Sequence, residues 1–112
     1  MSELQALKML REQLDFHELY DVKAVLNTRL TSAFGRYKHG GFTGNKVVEL
    51  STKLVSCNNE ERVMRTILHE IAHALTVGHK HDKVWKQKLL EIGGDGKRCW
   101  TTDDTVAYRK IT

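Results

Sequence analysis

Residues 59–78 constrain the fold of this chain more than any other segment, because they predict a long amphipathic helix. Asn58 or Asn59 can cap it, and the two acidic residues that follow lie in the first turn, where the helix dipole favours negative charge. Gly78 is a suitable stop. The core-facing stripe of this helix has helical spacing and consists of Val63, Ile67, Ile71 and Ala74 or Leu75.

The polar residues inside this helix predict a metal site. His69 and His73 are four residues apart, so their side chains project from one face about 40° apart, close enough to share one ion. Glu70 can reach a water molecule activated by that ion and accept its proton, while Zn²⁺ lowers the pKa of the water and polarises a scissile carbonyl. Peptide-bond hydrolysis needs this combination.

A catalytic zinc ion generally has three protein ligands and one open position, so a third ligand must come from elsewhere. Two histidines, His79 and His81, follow the predicted helix stop, and a turn there can fold either one back toward the first pair. Asp82 and Glu91 are weaker candidates, because carboxylates near lysines are common on protein surfaces. The spacing alone leaves the choice between His79 and His81 open.

The same pentad could instead be the solvated polar face of an amphipathic helix. Its apolar neighbours predict that the helix is largely buried, and buried histidines and a carboxylate need polar partners, which a metal ion provides. A zinc-stabilised domain without catalysis is a further alternative, against which the position of Glu70 beside the histidines argues. The sequence therefore favours a catalytic metal site.

The remaining segments predict further helices and a small sheet. An apolar stripe and a capping box predict an N-terminal helix over residues 1–17. In the region of residues 20–50, residues 20–26 fit a strand or a helix equally well. Residues 34–38 and 46–50 predict the two strands of a hairpin around the glycine-rich stretch 39–45.

The helical region is predicted to continue to residue 92, so that the active-site helices together span residues 59–92. Within residues 82–92, Trp85, Leu89 and Ile92 are expected to face inward. The C-terminal tail, residues 95–112, holds turn-forming residues and a short predicted strand over 105–108.

The composition indicates a soluble globular protein. The chain has 112 residues, 40% of them hydrophobic and 29% charged, which suits one domain over residues 1–112. We expect no membrane span, because no apolar run approaches the roughly 20 residues needed, and the N-terminus does not have the pattern of a secretory signal. Two distant cysteines favour a reducing compartment, so a cytoplasmic location is expected.

Basic residues suggest a polyanionic partner. The net charge is +4, and between Asp21 and Glu49 there are five basic residues, several aromatic ones and no acid. Such a surface can hold phosphates and stack unpaired bases. Lysines on a solvated face are the alternative explanation. The candidate nucleic-acid-binding residues are Arg36, Lys38, Lys46, Lys80, Lys83 and Lys86.

Several segments resemble a known family. TILHEIAHAL and GHKHDKVWK, at residues 66–75 and 78–86, resemble the SprT-like metalloprotease domain, found in the bacterial SprT proteins and the eukaryotic protease Spartan. Upstream, RLTSAFGRYKHGG and KVVELSTKL are similar to two consecutive strands of that domain. The resemblance covers about residues 20–99, and its specificity comes from several segments that match in order.

The resemblance implies a set of site residues. Carried over by position, His69 and His73 are ligands of Zn²⁺ and Glu70 is the general base. The HGxxW pattern of the family falls on residues 81–85, which implies that His81 is the third ligand and that Trp85 is a packing residue.

The resemblance also implies a fold and a function. The expected fold is a small α+β domain in which helices pack on a short antiparallel sheet or hairpin, with a zincin-like active-site helix and a strand over residues 20–27. The expected function is that of a zinc-dependent endopeptidase that cleaves DNA-bound or DNA-crosslinked proteins, with DNA as activator. The alternative is a zinc-stabilised nucleic-acid-binding module without proteolytic turnover.

Overall fold

The computed structural model describes residues 1–31, 33–40, 45–79 and 81–94. Lys80 and the predicted tail, including its strand over 105–108, lie outside these residues. In chain order the elements are α1 (Glu3–Phe16), β1 (Val22–Asn27), β2 (Gly35–His39), β3 (Lys46–Ser51), α2 (Thr52–Cys57), α3 (Glu60–Leu75) and α4 (Lys83–Glu91).

Side-chain caps fix where the helices begin. Ser2 accepts a hydrogen bond from the backbone of Gln5 at the start of α1, and Asn59 rather than Asn58 caps α3. Asp82 caps α4 in the same way. Helix α3 ends at Leu75, three residues before the predicted stop at Gly78.

The three strands form one mixed sheet with the order β1-β3-β2. Strands β2 and β3 are antiparallel, as the predicted hairpin requires, whereas β1 runs parallel to β3. Parallel pairing needs a long connection, which residues 28–45 provide by including β2. The α+β class is therefore confirmed, and the sheet is mixed where the sequence suggested an antiparallel one.

The core lies between the sheet and the helices α1 and α3. Its largest fully buried members come from all these elements, and they include Leu10, Leu14, Phe34, Leu50, Ile67 and Ile71. A second cluster joins α3 to α4 and consists of Leu68, Ala72, Trp85 and Leu89. Because α4 is attached through this second cluster, it lies against the same helix that carries the histidine pair.

Strand β2 lies very close to α3 because residue 35 is glycine. A Cβ atom at Gly35 would be 2.9 Å from the carbonyl oxygen of Glu49 and 3.0 Å from a methyl carbon of Thr66. The first distance is shorter than real Cβ contacts, and the second is tighter than most of them, so a larger residue would force β2 to shift against β3 and α3. Glu70 lies one turn further along α3, and the approach therefore brings the backbone of β2 beside it.

No described helix combines the length and the apolar character that crossing a bilayer demands. Among the described residues, the helices α1 and α3 are the longest, and both have strongly polar faces.

Candidate metal centre

Three imidazoles converge at one end of the cleft between β2 and α3. His69 and His73 project from the same face of α3, and His81 approaches them from the loop before α4. The Nε2 atom of His81 lies 3.2 Å from that of His69 and 3.1 Å from that of His73. Within the described part of the chain, these three residues form the cluster whose ligand atoms could share one ion.

The spacing of the three nitrogens fits a metal ion better than it fits hydrogen bonds. One imidazole nitrogen carries either a single proton or a single in-plane lone pair, so it cannot bond well to two others at once. Around a tetrahedral zinc ion with nitrogens at about 2.0–2.1 Å, neighbouring ligands are about 3.3 Å apart. The observed 3.1 and 3.2 Å separations are close to this value.

The electrostatics of the cluster also suit metal binding. Burial, together with the nearby His81, lowers the pKa of His73 to about 4. His69 is only 5% exposed. The lone pair of His73 is therefore available at neutral pH, and a neutral imidazole is the form that binds a metal ion.

The indole of Trp85 supports all three imidazoles from the side of α4. Its ring centroid lies 4.7 Å from those of His69 and His81, and 5.2 Å from that of His73, on which it stacks. The indole N–H donates to the carbonyl oxygen of His69 at 3.4 Å. The predicted inward position of Trp85 is confirmed, and it places the residue directly against the histidine cluster.

The two histidines that spacing left as alternatives have different environments. His81 belongs to the cluster, whereas Nδ1 of His79 lies 2.8 Å from Oδ2 of Asp82. Glu91, a weaker candidate, is exposed and forms an ion pair with Lys88. The structure thus groups His81 with the pair on α3 and turns His79 toward Asp82.

Glu70 is buried beside the cluster. It is 4% exposed, and its pKa is raised to about 8, because the effect of burial outweighs that of the hydrogen bond it accepts from the backbone N–H of Tyr37. A cation held by the adjacent histidines would stabilise the carboxylate and lower this pKa. The sequence pattern does not predict the hydrogen bond with Tyr37, because this bond depends on the close approach of β2 to α3.

The cleft at this site has a volume of about 330 Å³. One wall is β2, from Gly35 to His39, and the other is the segment after α3 that includes Val77 and Gly78. A larger cavity of about 590 Å³ lies near the start of α3 and contacts Met64 and Leu68 but none of the three histidines. The histidine cluster and Glu70 therefore line the smaller cleft.

The candidate nucleic-acid-binding residues fall into two groups. On the sheet, Arg36 and Lys38 pair with Glu49 at 2.7 and 3.3 Å, and Lys46 pairs with Asp21 at 3.2 Å. These acids reduce the positive charge that the sheet presents. On α4, Lys83 and Lys86 are exposed. Lys80 lies outside the described residues.

Glu49 is a buried carboxylate that sequence reasoning missed. Burial raises its pKa, but hydrogen bonds from Asn27, Arg36 and Lys38 outweigh this effect and hold the pKa below 4.5. A carboxyl group whose pKa is lower in the folded protein than in the unfolded one stabilises the fold at pH values above its unfolded pKa. This stabilisation is lost as the pH falls through its folded pKa. Glu49 therefore stabilises the sheet at neutral pH and loses this effect in acid.

Glu49→Gln is expected to lower the free energy of unfolding by about 1–3 kcal/mol at neutral pH, because it removes the charge from a hydrogen-bonded network. Urea unfolding should show that the difference from wild type shrinks as the pH falls below 4.5. Glu12→Gln is the control, since its side chain is 63% exposed and lies 4.0 Å from its ion-pair partner Lys8, and it should change stability by less than about 0.5 kcal/mol. Equal stabilities of Glu49→Gln and wild type at neutral pH would contradict the prediction.

Comparisons with known proteins agree on one family. The model of the SprT-like family matches residues 4–104. The protein named Protein SprT-like from Lactiplantibacillus plantarum is 30% identical over 97 residues, which cover 82% of this chain and 63% of that protein. The chain thus spans less than two thirds of the length of this curated relative.

Two solved structures have a similar fold. The metallopeptidase zymogen abylysin of Pyrococcus abyssi has a TM-score of 0.57 at 19% identity, and 75% of each chain is covered. The metallopeptidase zymogen jannalysin of Methanocaldococcus jannaschii has a TM-score of 0.56 at 17% identity, with 77% of this chain and 79% of that chain covered. At these identities the similarity establishes the fold.

Proposed function

The chain belongs to the SprT-like family, and from this premise we propose that it is a zinc-dependent endopeptidase. The observation that carries the proposal is the convergence of three imidazole Nε2 atoms beside a buried glutamate. His69, His73 and His81 would hold Zn²⁺, and Glu70 would act as the general base. The bound ion would polarise the scissile carbonyl and lower the pKa of the attacking water.

Glu70 performs the proton transfers in this proposal. Its carboxylate accepts a proton from the attacking water and later donates it to the leaving amide nitrogen. The hydrogen bond from the backbone of Tyr37 holds the carboxylate in place at the cleft. Its burial beside the three imidazoles supports this role, because the water that the ion would activate lies within reach of the carboxylate in such an arrangement.

The shape of the cleft supports a polypeptide substrate. Strand β2 is at the edge of the described sheet, and it forms one wall of the cleft. Because the N–H of Tyr37 points toward Glu70 and not toward β3, alternate backbone groups of β2 face the cleft. An extended peptide can bind to such an edge through main-chain hydrogen bonds.

The proposal includes DNA as activator and a DNA-bound or DNA-crosslinked protein as substrate, in the cytoplasm. Lys83 and Lys86 are exposed on α4, which begins immediately after the loop that carries His81. Phosphates held there would bring a DNA-bound protein next to the cleft. Arg36, Lys38 and Lys46 would add contacts through the parts of their side chains that Glu49 and Asp21 leave exposed.

A cleavage assay with a DNA-binding protein as substrate tests this function. We expect fragments when protein, zinc and DNA are all present, and at least about 10-fold slower cleavage without DNA or with a chelator. Raising the salt concentration should weaken the stimulation by DNA. Binding of zinc and DNA without cleavage under any condition would instead support a zinc-stabilised nucleic-acid-binding module.

A further inference from the structure

Asp82 forms hydrogen bonds on both sides of His81. One carboxylate oxygen, Oδ2, lies 2.8 Å from Nδ1 of His79, and the other, Oδ1, accepts the backbone N–H of Trp85 at 3.0 Å. His81 immediately precedes Asp82 in the chain. The carboxylate therefore connects the loop before His81 to the first turn of α4 after it.

The loop that carries His81 needs such a connection. It leaves α3 at Leu75 and passes through Gly78, whose φ of 93° lies in the left-handed region. Val77, Gly78 and His79 are exposed, so packing in the core does not order them. His81 lies outside both helices, and its direction depends on how this loop joins α4.

The same carboxylate determines where α4 begins. Asp82 is the N-cap of that helix, and Trp85 is the residue whose N–H it accepts. Trp85 is also the residue whose ring contacts all three imidazoles. A shift in the start of α4 would therefore move the indole relative to His69 and His73, in addition to moving His81.

We propose that Asp82 is a positioning residue that sets the metal affinity of the site by holding His81 and Trp85 in place for coordination. This inference rests on the proposed metal site and goes beyond it, because Asp82 is not one of the three residues whose ligand atoms converge. Groups that orient metal ligands typically change affinity by about 10–100-fold when they are removed. An asparagine at position 82 keeps an oxygen that can cap α4 and accept a hydrogen bond from His79. The variant Asp82→Asn should therefore keep most of the metal affinity.

The test measures Zn²⁺ affinity by competition with a chelating dye, together with thermal unfolding of the protein without added zinc. Asp82→Ala is expected to weaken zinc binding about 10–100-fold, whereas Asp82→Asn should weaken it by less than about threefold. Ser2→Ala is the matched control, because it removes the N-cap of α1, far along the chain from the site. Its unfolding temperature should fall about as much as that of Asp82→Ala, and its zinc affinity should match wild type.

Wild-type affinity in Asp82→Ala would overturn the proposal while leaving the metal site itself intact. An equal loss of affinity in Ser2→Ala would also overturn it, since the loss would then reflect general destabilisation. A variant Asp82→Ala that is unfolded before zinc is added would do the same, because Asp82 would then act on the fold. Wild-type protein that binds no zinc would overturn the proposed function together with this inference.

Discussion

Glu70→Gln is expected to slow peptide-bond hydrolysis by about 10²–10⁴-fold while the protein keeps its metal ion. The substitution removes the proton acceptor next to the three imidazoles but preserves the size and shape of the side chain. Burial raises the pKa of Glu70 to about 8, so its neutral acid form is accessible in the fold, and glutamine resembles that form. The loss should therefore be one of turnover, with little change in stability.

The measurement for Glu70 is the cleavage rate of a DNA-binding protein in the presence of zinc and DNA, with zinc content determined on the same samples. Glu61→Gln is the control on the same helix, and it should keep the wild-type rate because Glu61 is exposed and lies two turns away from the histidine pair. Cleavage by Glu70→Gln at the wild-type rate would contradict the role of Glu70 as general base.

His81→Ala is expected to weaken zinc binding by more than about 100-fold, and His79→Ala by less than about 10-fold. The loss of a direct ligand should exceed the 10–100-fold cost of losing a group that only orients one. Nε2 of His81 lies 3.1 to 3.2 Å from those of the other two imidazoles, whereas Nδ1 of His79 lies 2.8 Å from Asp82. Each variant removes one imidazole from the same short loop, so the two variants serve as controls for each other.

Competition with a chelating dye measures both zinc affinities, and thermal unfolding shows whether each variant keeps its fold. If His79→Ala lost its zinc and His81→Ala kept it, the assignment of the third ligand would be wrong. Equal losses in the two variants would contradict it as well, because the loop as a whole would then matter more than the identity of the ligand.

Much of the site could be predicted from the sequence because its signals are local. The histidine pair and Glu70 lie within five consecutive residues of a helix that has its own cap and apolar stripe. The spacing of the residues could not decide between His79 and His81, and only the family resemblance implied His81, since its position depends on how Asp82 joins the loop to α4. The sequence makes that carboxylate a weaker candidate ligand, whereas in the structure it caps the helix and contacts His79.

The sheet shows where local patterns stop being informative. Alternation of apolar residues could suggest that residues 20–26 form a strand, but it cannot show that β1 pairs in parallel with β3. The pairing of Arg36 with Glu49 was hidden for the same reason, because the two residues become neighbours only through the register of β2 and β3. Helix α2 was missed because it has six residues, too few for a clear helical period, and its cap is the last residue of β3.

Elemental analysis of protein purified without added metal tests the central claim most directly. The wild-type protein should contain about one zinc ion per chain, and His73→Ala, which removes one of the three converging imidazoles, should contain almost none. Wild-type protein that is folded and free of zinc would contradict the claim that this histidine cluster is the metal centre of a peptidase.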